Sequence, residues 1–284
     1  MRIKGRKRTF VLVIPSFEDV FHSFYASEII KGVSITASRI KVDILIRVTD
    51  RFDHKNWVNA SLLDRNYVDG IVFADIDNDV GIVKKAIAQG MPTVVLNNYL
   101  EEPFNCISID NEKATKEIVR YLVKQEHKKI ATVAGDATTQ AGEVRLSAFK
   151  AALKEADIKV PSAYITRGDF LRTPARIAAE KLLKLTDRPT AIFAASDVMA
   201  LEVLDAARAN AIRVPEDLSV FGFDDNPLSV TSSVPLSTVA QPLVEMGRVG
   251  AEKLYQISLG KAKLPVKDVL PAKLVHRKSV GKCR

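Results

Sequence analysis

Short apolar runs alternate with amphipathic stretches along nearly the whole chain. Phe10–Ile14, Val42–Val48, Gly70–Ala74 and Thr93–Leu96 are brief and rich in Val and Ile. Between them, Phe24–Arg39, Lys55–Arg65 and Val80–Gln89 place apolar residues three and four apart, the spacing of a helix with one buried face. Val/Ile runs separated by helices predict parallel strands covered on both faces, and right-handed crossovers join these into a doubly wound sheet. A second series starts near His127. It comprises strand Lys129–Ala134, helix Gly142–Ala156, strand Ala163–Thr166, helix Pro174–Leu185, strand Ala191–Ala194, helix Val198–Asn210 and strand Leu218–Phe223. Gln241–Gly260 adds a helix and Val266–Leu270 a strand. The expectation is an α/β protein with two consecutive βαβ blocks; each is large enough for its own sheet, although one continuous sheet would give the same local pattern.

Bulk properties narrow the class. A chain of 284 residues is long for a single compact unit, so two lobes are expected. No apolar run approaches the roughly 20 residues that span a bilayer, and the basic N-terminus lacks a small-residue cleavage site, so neither a membrane partner nor export is expected. Cys106 and Cys283 are the only cysteines, which gives no disulfide framework and fits a reducing, cytoplasmic compartment. The net charge of +8 is unevenly spread. Residues 1–8 hold five cations and no acid, residues 273–284 another five and no acid, and the remainder carries −2. The body is near neutral, and the two basic ends read as solvated tails or linker remnants that could touch phosphates without reading sequence.

The chemistry gathers at strand ends. Open α/β sheets bind ligands at the carboxyl edge of their strands, and here strands are followed by Asp75, Asn97, Asp136, Ser196-Asp197 and Asp224-Asp225. A carboxylate at Asp224 can accept two hydrogen bonds from vicinal hydroxyls, the usual grip on a sugar; the alternative is a turn cap before Pro227. Arg145, inside an amphipathic helix, offers a fork of donors to oxygens, or else a surface ion pair with Glu143 or Glu155. Ser196-Asp197 is a helix N-cap signal, and Asp197 is as well placed to cap as to bind. Asp75, Asn97 and Asp136 are each equally readable as turn residues, and Trp57 as packing. The four histidines are scattered without metal-ligand spacing, and no nucleophile elbow or glycine-rich phosphate loop occurs. Neither catalysis nor a cofactor is expected.

Residues 189–225, PTAIFAASDVMALEVLDAARANAIRVPEDLSVFGFDD, resemble the effector-binding domain of the LacI/GalR family of bacterial transcription regulators. Further words match in order: FVLVIP at 10–15, EIIKGV at 28–33, YVDGIVF at 67–73, SIDN at 108–111, EHKKI at 126–130, RLSAF at 145–149, GDF at 168–170 and PLSTVAQ at 235–241. The likeness runs from about Phe10 to His276. It implies a type I periplasmic-binding-protein-like fold: two Rossmann-like lobes linked by three crossovers, residues 9–125 with 242–271 and residues 126–241 with 272–284, and residues 1–8 as a linker remnant. A small polar effector, a sugar or a nucleoside-like molecule, would bind between the lobes and bias a homodimer. The resemblance also implies pocket roles for Arg145, Asp224, Phe170, which could stack on a ring, and Gln241, whose amide both donates and accepts. Ser196 replaces the family's usual Asn and removes an amide donor. Around Phe17, Asp19, Phe21 and His22 the chain is about four residues longer than the family pattern, and Phe17 is the pocket candidate there. The family's N-terminal helix-turn-helix is not found ahead of the first strand, so operator DNA would be reached only through a domain absent from this chain. The dimer faces would lie on the helices at 55–65 and 80–89. Two other classes remain open: a sugar-binding protein of a transporter, and an α/β enzyme acting on a sugar or nucleotide.

Overall fold

The computed structural model describes residues 7–16, 20, 23–50, 60–76, 80–101 and 103–283. The chain forms two compact units, Met1–Ile109 with Pro242–Leu270 and Asp110–Gln241 with Pro271–Arg284. It therefore passes between them three times, after Ile109, Gln241 and Leu270.

The first unit holds strands β1 (Thr9–Ser16), β2 (Asp43–Asp50), β3 (Gly70–Phe73), β4 (Thr93–Leu96), β5 (Cys106–Ile109) and the returning β11 (Lys267–Leu270). They form one sheet in the order β11-β5-β4-β3-β1-β2, with every pairing parallel. Strand β5 escapes the hydrophobic pattern because Asn105 and Ser108 break its apolar run, yet all four of its residues are buried. Strand β2 is an edge, and Leu45, Ile46 and Val48 are exposed on it, contrary to the expectation of strands covered on both faces. Helices α1 (Phe24–Ile40), α2 (Val80–Ala88) and α8 (Leu243–Ser258) complete the unit. Ile82, Val83 and Ala86 of α2 share a core with Val11, Val13, Ile71 and Phe73. Helices α1 and α8 approach closely enough that a Cβ on Gly32 would stand 2.0 Å from the Val244 carbonyl oxygen, and one on Gly247 2.5 Å from that of Ile29. Of the helix expected at 55–65, residues 55–59 and Trp57 lie outside the described residues. Ala60–Leu63 is a single 3₁₀ turn, and Asp64 ends it by accepting from the Asn66 N–H at 2.8 Å.

The second unit begins with α3 (Asn111–Lys124), a helix beyond those expected from the sequence, on which Ala114, Ile118, Val119 and Leu122 form a buried stripe. This helix packs on α4 (Gln140–Glu155), so the unit starts at Asp110 rather than at residue 126. Strands β6 (Ile130–Ala134), β7 (Ile165–Arg167), β8 (Ala191–Ala194) and β9 (Ser219–Phe221) make a parallel sheet in the order β7-β6-β8-β9. The strand expected from Ala163 starts two residues later, after a 3₁₀ turn at Ser162–Tyr164. Helices α5 (Arg172–Leu183), α6 (Asp197–Ala209) and the short α7 (Leu228–Thr231) follow, with an antiparallel pair of β10 (Thr238–Ala240) and β12 (Lys273–Val275). Side-chain caps start three helices of this unit: Asp110 accepts from the Lys113 N–H, Thr139 from that of Gly142, and Ser196 from that of Met199.

The basic C-terminal segment is not a solvated tail. Past β12, the buried Ser279 hydroxyl donates to the Val220 carbonyl at 2.6 Å. The His127 ring lies between the Thr190 and Ser219 hydroxyls at 3.0 and 2.9 Å, with the Gly281 carbonyl at 3.1 Å. Burial pushes its pKa down, which keeps the ring neutral in this role. Lys282 pairs with Glu126, and the Cys283 N–H donates to the Gln125 carbonyl. The positive charge is thus laid along the fold.

The contact of α1 with α8 gives a test. Gly32→Ala drives a methyl into backbone that cannot rotate away, and is expected to destabilise the first unit by about 1–3 kcal/mol, read as a lower urea midpoint. An unchanged midpoint would show that the two helices are not in backbone contact.

Candidate functional site

The carboxyl edge of the second unit's sheet is organised around Asp197. It opens α6, and its side chain is fully buried. Its N–H donates to the Phe223 carbonyl at 2.7 Å. One carboxylate oxygen accepts from the Asn226 N–H at 2.8 Å, and the other from the Thr238 hydroxyl at 2.6 Å. A Cβ on Gly222 would stand 2.2 Å from that carboxylate, so only glycine fits at this point of the chain. Asp197 had two expected roles, helix cap and ligand contact. The cap is Ser196, whose hydroxyl accepts from the Met199 N–H at 3.4 Å, and both Asp197 oxygens are spent on the protein's own donors. Asp197 builds the site from behind.

What Asp197 holds in place is an unusual turn. Asp224 and Asp225, neither of them glycine, have φ of 129° and 61°, backbone that L-residues adopt only when their surroundings over-determine it. The Asp224 N–H donates to the Val239 carbonyl at 2.8 Å, and the Gln241 amide donates to the Asp224 carboxylate at 2.7 Å. The other end of that amide, Gln241 Oε1, is buried and accepts no hydrogen bond among the described residues.

Arg145 lies against the same turn. It is buried, and its guanidinium sits 3.6 Å from the centre of the Phe223 ring. Its Nε donates to Asn111 at 2.8 Å and one terminal nitrogen to the Ala195 carbonyl at 2.7 Å. The alternative of a surface pair with Glu143 or Glu155 is overturned: Glu155 instead binds Lys116 and Arg120. Burial pushes the Asp224 carboxyl up to about 6, against the pull of the Arg145 charge and the Gln241 amide. Burial, then the neighbouring Asp224 charge, also pushes the Asp197 carboxyl up.

The remaining candidates occupy their strand ends with visible local roles. Phe170 and Asp169 both have positive φ, which lays the Phe170 ring across Gly135 at the end of β6; a Cβ there would meet the ring at 2.1 Å. Asp136 accepts from the Thr138 N–H and hydroxyl, both at 2.7 Å, as a turn residue. In the first unit, buried Asp75 accepts from the Ile76 N–H at 2.7 Å and the Asn97 amide at 3.1 Å, tying the ends of β3 and β4. Phe17 lies outside the described residues. The structure adds residues that sequence reasoning missed. Asn111 orients Arg145, Thr238 and the Asn226 backbone hold Asp197, and Arg277 pairs with Asp225 at 2.5 Å. Asn111 and Thr238 both fall inside quoted family words; Arg277 carried no signal beyond being one cation among several. Among the described residues no cluster of three His, Cys, Asp or Glu could hold a metal, and no helix is long and apolar enough to cross a membrane.

Comparison with known proteins places the chain among regulators. A periplasmic binding protein-like domain matches residues 119–280. The HTH-type transcriptional regulator DegA of Bacillus subtilis is 32% identical over 280 residues, 97% of this chain and 82% of that protein. A putative transcriptional regulator LacI from Bacillus cereus subsp. cytotoxis superposes with a TM-score of 0.91 at 27% identity, covering 98% of this chain and all of the other. The transcriptional regulator CelR–cellobiose complex does so with a TM-score of 0.88 at 27% identity, covering 98% and 86%.

Asp197 and Asp224 should separate on mutation. Asp197→Ala leaves a backbone N–H and a hydroxyl unpaired and is expected to cost about 1–3 kcal/mol. Asp224→Asn removes a charge that the fold disfavours. A carboxyl raised above its unfolded pKa loses stability as pH climbs from about 4 through the folded value. The Asn variant is therefore expected to raise the urea midpoint at pH 8 and to change it less at pH 5. Equal shifts at both pH values would remove the electrostatic reading.

Proposed function

Because this chain belongs to the LacI/GalR family of bacterial transcription regulators, we propose that it senses a small neutral metabolite bearing hydroxyls, gripped at the Asp224 edge of the second unit. The observation that carries this reading is the buried Gln241 Oε1, which accepts no hydrogen bond among the described residues, beside the Asp224 carboxylate. An acceptor removed from water costs free energy until a donor reaches it. Two acceptors side by side suit a pair of hydroxyls, or a hydroxyl and an N–H, as in a sugar or a nucleoside. Arg145 supplies the opposite polarity within reach of the Asp224 charge, and the Phe170 face suits a ring. Charge supports a neutral ligand: Asp197, Asp224 and Asp225 face two arginines at this edge, Arg145 and Arg277, and Arg277 is paired with Asp225. The cellobiose in the CelR complex is that protein's ligand; it is a neutral molecule bearing hydroxyls, the class proposed here.

The effector is proposed to bias a cytoplasmic homodimer between two arrangements and so alter its affinity for operator DNA. This requires no bond-making, and the edge residues serve as fixed donors and acceptors. The family membership favours this role over solute delivery to a transporter.

A thermal-shift screen of pentoses, hexoses, disaccharides and nucleosides, paired with native mass spectrometry, identifies the effector and the oligomeric state together. With the effector in hand, Arg145→Ala and Asp224→Asn are each expected to weaken binding by about 1.5–3 kcal/mol, roughly ten- to a hundred-fold, by calorimetry. Because the ionised Asp224 is the acceptor and its carboxyl is pushed up to about 6, affinity is expected to fall about fivefold between pH 6 and pH 5. Unchanged affinity in both variants would reject the site.

A further inference from the structure

The geometry points to Arg277 as the positioning residue of the effector site: the C-terminal strap, through this one guanidinium, holds the left-handed Asp224–Asp225 turn that presents the ligand-gripping carboxylate. The inference rests on the proposed function only in naming what the turn is for. One terminal nitrogen of Arg277 contacts the Asp225 carboxylate at 2.5 Å. The other donates to the Leu236 carbonyl at 2.8 Å and the Ser229 hydroxyl at 3.2 Å. These partners lie at the start, the middle and the return of the loop between β9 and β10, so one planar group sets the span of that loop.

The guanidinium is itself held. The Arg277 N–H donates to the Ser237 hydroxyl at 2.9 Å, and the Lys278 N–H to the Pro235 carbonyl at 2.9 Å. Ser279 then accepts from the Ser237 N–H at 2.8 Å. With the Arg277 side chain only 16% exposed, the pair with Asp225 is shielded from salt and water in a way surface pairs are not. Two consecutive non-glycine residues at positive φ would relax towards ordinary backbone if either tether let go. Asp197 is the tether from inside the sheet, through the Asn226 N–H, and Arg277 is the tether from the segment after β12, through Asp225.

A lysine keeps the charge but loses the planar fork that divides the donors between Asp225 and the Leu236–Ser229 pair, and a methionine keeps only the stem. The test uses ligand-free protein, so it reads the turn even if the effector screen fails. Amide exchange at residues 224–226 and the carbon-13 titration of the Asp224 carboxyl are measured in Arg277→Met, Arg277→Lys and wild type. In Arg277→Met, exchange at 224–226 is expected to accelerate about tenfold or more while β6 and β8 keep their protection, and the Asp224 midpoint is expected to fall towards an ordinary carboxylate; Arg277→Lys should recover part of both. Should Arg277→Met not fold, Asp225→Asn removes the charge of the same pair from the other side and carries the same expectation for amide exchange at 224–226. An unmoved Asp224 midpoint in a folded variant, or exchange that rises uniformly across the second unit, would overturn the assignment and leave Arg277 a plain structural contact.

Discussion

A fully buried carboxylate, that of Asp197, is held by a backbone N–H and a hydroxyl at the end of the second unit's sheet. Burying such a group is costly unless its oxygens are satisfied, and here the satisfying groups come from two other segments, the loop after β9 and strand β10. One side chain therefore fixes how three pieces of chain meet. Several local features follow from it: the glycine at 222, where a side chain would collide with that carboxylate; the division of labour in which Ser196 caps α6 and leaves Asp197 free to turn inward; and the left-handed turn at Asp224 and Asp225.

That turn stores conformational strain and electrostatic stress at one place. The backbone is held in a region that ordinary residues avoid, and the Asp224 carboxyl is held where burial disfavours its charge. Strain and stress of this kind persist where the surrounding structure over-determines them, and they gather at sites that must be ready before a ligand arrives. A preset acceptor pair at Asp224 and Gln241, opposed by an arginine whose nitrogens are aimed by Asn111 and the Ala195 carbonyl, would spend little ordering entropy on the binding proposed here. In a regulator this matters because the effector's binding energy can then be directed to shifting the balance between conformations.

Much of this architecture is written in the hydrophobic pattern. The strands at 10–14, 70–74, 93–96 and 191–194 and the helices at 24–39 and 198–210 follow from periodicity, because their cores are unbroken runs or regular stripes. Strand β5 was not legible, since Asn105 and Ser108 are buried through pairing rather than through apolarity. The edge exposure of β2 depends on strand order, which period alone does not carry. Of the candidate site, the positions of Asp224, Arg145 and Gln241 follow from strand ends and family words, while their contact with an effector is a proposal. The inward role of Asp197 was not, because an acid at a helix start reads as a cap whichever way its side chain turns. The C-terminal basic run misled for a similar reason: charge composition cannot distinguish a solvated lysine from an arginine whose every partner lies forty or more residues away.

The Asp197-braced turn is proposed to present Asp224 as the group that grips the effector. A crystal structure of the chain with its identified effector tests it most directly. The expected result is a ligand hydroxyl within hydrogen-bond distance of the Asp224 carboxylate, a ligand donor at Gln241 Oε1, and the positive φ angles at 224 and 225 retained. An effector bound in contact with neither side chain would contradict the account.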